Sequence, residues 1–241
     1  MDKIIIYSGL AGLATCLGGL FVSGLRNPGE RFFASILGLA AGIMFGISIM
    51  DLLPSAWKYG TPIKVFLGLG SGILLMKLLD AVLSRTTYRL PQTRDRVHFI
   101  HMGYLIALGI ALHDFPEGMA IAVGYEATEE LGLLIALAIA LHNVPEGMAI
   151  ALPLKMGGVR VKNIFFITLF AGFFTPLGTL FGMFLVAFSR DFISSLLAAA
   201  AGAMLYIVFV ELVPEAKYKH PYYALLGTAL GLLLLVFLSL C

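Results

Sequence analysis

Charged residues are scarce in this chain of 241 residues: only 12% are Asp, Glu, Lys or Arg, whereas 60% are hydrophobic. A soluble domain usually carries about 25% charged residues. The composition therefore excludes an ordinary soluble protein and predicts an all-α protein embedded in a lipid bilayer. The net charge of +2 is carried by loops that flank apolar segments, so it does not indicate a nucleic-acid partner.

Cysteine is rare as well, and this excludes two kinds of site. Cys16 lies inside an apolar segment and Cys241 is the last residue. Neither a disulfide framework nor a CxxC metal site can be built from this pair. No segment resembles a nucleotide-binding loop, so we expect no resident cofactor.

Long apolar segments are what the chain has in abundance. A membrane-spanning helix takes roughly 20 apolar residues, and eight such segments joined by short connections leave no room for a separate soluble domain. We therefore treat 1–241 as a single membrane domain. The predicted spans lie near residues 4–25, 32–53, 63–83, 103–125, 131–153, 164–188, 192–213 and 222–240.

The distribution of lysine and arginine predicts the orientation of these spans. One set of alternate loops carries eleven of these residues, and the other set, with the N-terminus, carries four. Loops rich in positive charge remain in the cytoplasm. Both termini are therefore expected outside.

An unusual motif occurs twice, in the fourth and fifth predicted spans. ALGIALHDFPEGMAIAV (Ala107–Val123) aligns without gaps with ALAIALHNVPEGMAIAL (Ala136–Leu152). The histidine and glutamate of each copy are four residues apart, so they share a helix face. Ionisable residues inside a membrane are costly and usually functional, and imidazole and carboxylate groups bind divalent metals. The motif pair therefore points to a divalent cation inside the membrane. The two helices could face each other with the side chains of His113, Asp114, Glu117, His142, Asn143 and Glu146.

A second repeat predicts how the spans are arranged. AAGIMFGISIMDLLPSA (Ala40–Ala56) aligns with AAGAMLYIVFVELVPEA (Ala200–Ala216) at an offset of 160 residues. These copies lie in the second and seventh spans, which cross the membrane in opposite directions. A two-fold axis in the membrane plane would relate spans one to three to spans six to eight, with spans four and five between them. Such a 3+2+3 inverted repeat is a common plan of secondary transporters.

The paired HDFPEG and HNVPEG segments, with the eight spans, resemble the ZIP (Zrt/Irt-like) family of zinc and iron permeases. The length of the chain is similar to that of compact prokaryotic members, which implies a location in a prokaryotic inner (plasma) membrane. The resemblance implies uptake of divalent metal into the cytoplasm through a binuclear site at mid-membrane, by alternating access. Zinc is the expected ion, and iron, manganese, cobalt and cadmium are further candidates.

The resemblance also implies two metal positions. The first would be formed by His113, Glu117, His142 and Glu146, with Met44 as a possible extra ligand. The second would be formed by Asp114, Glu117, Asn143 and Glu146, with both glutamates bridging. The family pattern often has a glutamate ligand in the sixth span, but this chain reads GFFTPLG, with Thr175 in that place. We therefore expect a weaker second position, and the number of central metals stays open.

Asp51 and Glu211, from the second repeat, allow two interpretations. They could relay metal into and out of the central site, or they could lie at the membrane interfaces, where carboxylates cost little.

The rival function is an intramembrane zinc-dependent hydrolase, in which bound zinc activates water. That chemistry usually uses a HExxH spacing, whereas glutamate follows histidine by four residues here. The sequence leaves open the driving force, carrier or channel behaviour, and whether a homodimer forms.

Overall fold

The structure is a computed structural model that describes residues 2–26, 28–87, 93–185 and 190–240. Helices make up nearly all of these residues. No β-strand occurs within these ranges. Two π-helical segments, Ile47–Leu52 and Val208–Leu212, interrupt the α-helices. The α-helices are α1 (Asp2–Gly24), α2 (Glu30–Gly46), α3 (Leu53–Tyr59), α4 (Pro62–Thr87), α5 (Arg94–Ala127), α6 (Glu129–Met156), α7 (Val161–Gly172), α8 (Phe174–Leu185), α9 (Arg190–Ile207), α10 (Val213–Lys219) and α11 (Pro221–Leu240).

Seven helical stretches in the described ranges are long and apolar enough to cross a membrane, which confirms the all-helical membrane class. The eighth predicted span corresponds to a shorter apolar helix, Pro221–Phe237. Residues 186–188, at the predicted end of the sixth span, lie outside the described ranges. The seven stretches are Lys3–Gly24, Glu30–Tyr59, Pro62–Thr87, Arg94–Glu126, Glu129–Met156, Val161–Phe184 and Phe192–Lys219.

Three of the predicted spans consist of more than one helical segment in the described ranges. The second span comprises α2, a π-helical segment and α3; the sixth comprises α7 and α8; the seventh comprises α9, a π-helical segment and α10. The fourth span begins at Arg94 rather than near residue 103. An apolar run marks only the part of a helix that faces lipid, whereas the helix itself continues through polar turns because its hydrogen bonds are internal.

Each π-helical segment ends two residues before a proline. Pro54 and Pro214 lack a backbone N–H and cannot complete a regular helical turn. The residue before each proline donates instead to the carbonyl oxygen five positions earlier: Leu53 to Ser48, and Val213 to Val208. These wider turns are frequent at functional sites, and the predicted relay acids lie within them.

The spans pack in two sets of matching pairs. The first span packs along the fifth, and the sixth along the fourth; the second packs along the eighth, and the seventh along the third. The first and sixth spans also contact each other, as do the fourth and fifth. The fourth and fifth spans are therefore flanked by the first and sixth.

Glycines bring these flanking helices into backbone contact with the two motif helices. A Cβ atom on Gly118 would lie 1.9 Å from the carbonyl oxygen of Thr175, and one on Gly147 would lie 1.9 Å from that of Thr15. No side chain fits at such a distance. Each glycine directly follows a motif glutamate, so this packing holds the predicted ligands against the first and sixth spans.

Candidate metal centre

The histidine of the fourth span lies at the centre of a buried polar cluster. His113 is completely buried, and its Nε2 lies 3.2 Å from Glu146 Oε2 and 3.4 Å from Asp114 Oδ1. Its Nδ1 lies 3.2 Å from the carbonyl oxygen of Gly109. A carbonyl can only accept, so this contact assigns the ring proton to Nδ1. Nε2, the nitrogen that faces the carboxylates, is then the one that could bind a metal once the imidazole is neutral.

Three groups of this cluster could contact one ion. His113, Asp114 and Glu146 each offer a ligand atom, and these atoms all lie within 4.8 Å of one another. His113 Nε2, Asp114 Oδ1 and both carboxylate oxygens of Glu146 are buried and have no hydrogen-bond partner. Buried polar atoms without partners are rare and costly. A divalent cation is the species that would satisfy all four at once.

The second histidine forms a separate pair with the other motif glutamate. His142 Nε2 lies 3.1 Å from Glu117 Oε2, across the interface of the fourth and fifth spans. Both side chains are nearly buried, with 6% of each residue exposed. In the absence of metal the imidazole donates to the carboxylate, and both groups could turn to a shared ion once that proton leaves.

The two remaining predicted ligands contact the flanking spans. Thr175 Oγ1 donates to Asp114 Oδ2 at 3.3 Å. Asn143 Nδ2 donates to the carbonyl oxygen of Ala11 at 3.1 Å, while its Oδ1 is buried without a partner. The first and sixth spans thus fix the side chains of Asn143 and Asp114, respectively.

The structure therefore gathers the six predicted ligands at one interface, as a triad (His113, Asp114 and Glu146), a pair (His142 and Glu117) and Asn143 beside them. Their role as metal ligands stays a prediction. Met44 is completely buried within the main apolar core, and its role as an extra ligand is likewise a prediction.

Asp51 and Glu211 occupy equivalent positions in the two π-helical segments but differ in surroundings. Asp51 is exposed and close enough to Glu117 and His142 to interact with them electrostatically. Glu211 is buried and interacts electrostatically with His98 and Asp80. Asp51 thus borders the central site, whereas Glu211 belongs to a different polar group.

That group includes a residue that the sequence interpretation missed. Asp80, in the third span, lies 3.0 Å from His101 Nε2 and accepts a hydrogen bond from Tyr206 Oη at 2.8 Å. His98 Nε2 lies 3.1 Å from Glu215 Oε2 nearby. The sequence could have indicated Asp80, because an acidic residue within an apolar run rarely occurs without a partner.

Comparison with known proteins gives one consistent result. Residues 90–239 match the family described as ZIP zinc transporter. Over most of its length the chain is similar to proteins named zinc transporter ZupT. It is 35% identical to that of Chlorobium luteolum, covering 92% of this chain and 91% of the relative. It is 33% identical to that of Corynebacterium aurimucosum, covering 86% and 84%, and 29% identical to that of Streptococcus mutans, covering 95% and 94%.

Proposed function

Because the chain belongs to the ZIP zinc transporter family, we propose that it carries divalent metal ions, with zinc as the main substrate, through the plasma membrane into the cytoplasm. The observation that carries this proposal is the cluster of buried, unpartnered ligand atoms on His113, Asp114 and Glu146. Binding of a transported cation would compensate the free-energy cost of burying these polar atoms. The comparisons name transporters and give no support to the hydrolase.

The two motif helices supply the proposed binding site. The first position uses both histidines and both glutamates, with Met44 as a further candidate ligand. The second position uses Asp114 and Asn143 with the same two glutamates as bridges. The close approach of His113 to Glu146, and of His142 to Glu117, supports a site shared between the fourth and fifth spans. Two imidazole nitrogens favour zinc at the first position, since imidazole suits zinc better than harder ions.

The inverted repeat is part of this proposal. Exchanging spans one to three with spans six to eight, and the fourth with the fifth, converts the first–fifth pair into the sixth–fourth pair and the second–eighth pair into the seventh–third pair. The π-helical segments at Ile47–Leu52 and Val208–Leu212 are also equivalent under the offset of 160 residues. Both observations support a two-fold axis through the central site. The charges of the loops, not this symmetry, are the basis for proposing both termini outside.

Alternating access follows from this symmetry. The site would open outward beside Asp51, which interacts electrostatically with Glu117 and His142, and inward towards Glu211. Rearrangement of the spans around the site would exchange one opening for the other. The π-helical turns, which are frequent at functional sites, lie in the two spans that carry these acids.

Zinc uptake into proteoliposomes that contain only this protein tests the proposal. Glu117→Ala and Glu146→Ala should each abolish uptake of radioactive zinc, because each removes a carboxylate that both metal positions use. Glu30→Ala is the matched control, since Glu30 is exposed at the start of the second span, and it should transport like wild type. Absence of wild-type uptake above empty vesicles would contradict the transport function. Near-normal uptake by a folded Glu117→Ala or Glu146→Ala protein would contradict only the site.

A further inference from the structure

A third internal repeat connects the first and sixth spans. GLATCLG, at residues 12–18, aligns with GFFTPLG, at residues 172–178, at the same offset of 160 residues. Two glycines, one leucine and one threonine coincide. Thr15 is therefore the sequence counterpart of Thr175.

The structure places these two threonines in equivalent surroundings. Gly147 packs on the backbone of Thr15 as Gly118 packs on that of Thr175, with the same distance of 1.9 Å from a Cβ position to the carbonyl oxygen. A Cβ on Gly18 would lie 2.0 Å from the carbonyl oxygen of Val144, just as one on Gly178 would lie 2.0 Å from that of Phe115. The first span thus approaches the fifth in the register in which the sixth approaches the fourth.

Thr15 differs from Thr175 in what its hydroxyl contacts. Thr175 donates to Asp114, whose counterpart in the motif repeat is Asn143. Thr15 Oγ1 is completely buried and has no hydrogen-bond partner, and the same is true of Asn143 Oδ1. Asn143 is already anchored to Ala11, which lies one turn before Thr15 on the same face of the first span. The first span thus carries an unpartnered hydroxyl and the fifth span an unpartnered amide oxygen. The Thr15 hydroxyl also borders the sixth span, where a Cβ on Gly172 would lie 3.2 Å from it.

The Thr15 hydroxyl does not form a hydrogen bond within its own helix. Buried threonines in helices ordinarily donate to a carbonyl three or four residues earlier. Thr168 and Thr179 do this in the sixth span. Thr15 makes no such bond, so its hydroxyl is available to a ligand.

We infer that Thr15 supplies its hydroxyl oxygen to the central metal site beside Asn143, and thereby favours harder divalent ions such as manganese at the second position. This inference rests on the proposed function, because it adds a ligand to the proposed site. Hydroxyl, amide and carboxylate oxygens are the ligands that hard cations prefer, whereas imidazole favours zinc. The second position would be an all-oxygen site completed by the first span.

Manganese binding to the purified full-length protein tests the inference, with free manganese followed by EPR. Thr15→Val removes the hydroxyl while keeping the shape of the side chain. It should weaken manganese binding by about tenfold, the lower end of the loss in metal affinity that follows when a group supporting a metal ligand is removed. Thr15→Ser restores the hydroxyl and should restore the binding. Zinc binding at the first position should change much less, so the ratio of the two affinities is the diagnostic quantity.

Thr168→Val is the matched control. It makes the same substitution at another completely buried threonine, whose hydroxyl bonds within its own helix. Manganese affinity unchanged in folded Thr15→Val, or lost equally in Thr15→Ser, would overturn the inference. Zinc uptake distinguishes a failure of the inference from a failure of the proposed function. If the inference fails but Glu117→Ala still abolishes zinc uptake, the proposed function stands. If wild type takes up no zinc, the proposed function itself fails.

Discussion

At the scale of single residues, the cost of burial explains both the site and how it was recognised. Glu146, His113 and Asp114 are fully buried, and removing such groups from water costs several kcal/mol each unless they are compensated. A chain retains them only where something repays that cost. The same argument identifies these residues in the sequence, since histidine and acids inside apolar runs need a partner.

The substitution Thr175→Glu tests the assignment of the second metal position. Thr175 is completely buried and donates to Asp114, so a glutamate there would place a second carboxylate beside an acid that is already present. A second carboxylate gives a divalent ion more charge and a better oxygen ligand. We expect the variant to hold two central metals at a free zinc concentration where wild type holds one, while uptake slows because release becomes harder.

Metal analysis of purified protein at matched free zinc measures this difference. Thr86→Glu, at an exposed position near the end of the third span, should leave the stoichiometry at the wild-type value. Two equally tight central metals in wild type, with no gain in Thr175→Glu, would show that Thr175 does not replace a missing ligand.

The pH dependence of metal binding tests the histidines. An imidazole must be neutral at the binding nitrogen, so protons compete with metal as the pH falls. The apparent zinc affinity should therefore decrease progressively as the pH is lowered from 7 to 5. His113→Asn should lower the affinity at neutral pH and flatten this dependence.

His220→Asn serves as the control for the pH experiment. His220 directly follows the last helical residue of the seventh span and contacts the ring of Tyr223 in the eighth span. The variant should keep the full pH dependence. Zinc affinity constant between pH 7 and 5 in wild type would rule out histidine ligation.

Side-chain orientation is the part of the site that the sequence could not supply. The amide of Asn143 is turned by the carbonyl of Ala11, 132 residues away. The tautomer of His113 is set by Gly109. Periodicity places a residue on a helix face, but the register of the neighbouring helices decides which of its atoms faces the site. The unpartnered hydroxyl of Thr15 was missed for the same reason.

At the scale of helices, glycine contacts set the distance between the motif spans and their neighbours. Gly118→Ala and Gly147→Ala would each place a methyl group 1.9 Å from a backbone carbonyl oxygen, so the helices must separate. Overpacking of this kind costs roughly 1–3 kcal/mol. We expect a lower melting temperature and reduced zinc uptake in both variants.

Gly9→Ala and Gly70→Ala are the matched controls, because no atom lies within 4 Å of a Cβ built at either position. These changes should be neutral or slightly stabilising, since alanine favours a helix over glycine by up to about 1 kcal/mol. Equal behaviour of the two groups, measured by thermal unfolding and uptake, would show that the close helix contacts do not hold the site together.

Local irregularity was harder to predict than helix existence. Pro54 and Pro214 indicate a disturbed turn, but proline can end, kink or widen a helix with equal ease on sequence grounds. The structure resolves both disturbances into π-helical segments with bonds to the fifth preceding residue.

At the scale of the whole molecule, apolar runs predict the spans because lipid leaves a backbone no alternative to internal hydrogen bonding. Apolar runs predict the ends of the spans less closely than their existence, because the fourth span has a long polar first part that begins at Arg94. Pairing of the second span with the eighth, and of the third with the seventh, could not be derived from hydropathy. Only the internal repeats indicated that such pairs should be related.

The orientation of the chain in the membrane remains a prediction from its loop charges, and it determines which side of the membrane each proposed opening of the site faces. After both native cysteines are replaced by serine, single cysteines can be introduced by Glu126→Cys and Lys162→Cys. Both positions are exposed; Glu126 lies near the end of α5, before the fifth span, and Lys162 lies near the start of α7, after it. With both termini outside, a membrane-impermeant maleimide should label Glu126→Cys in intact cells. Lys162→Cys should be labelled only after permeabilisation. The reverse pattern would place the loops rich in lysine and arginine outside, contrary to the positive-inside rule, and would require the predicted route past Asp51 to open towards the cytoplasm.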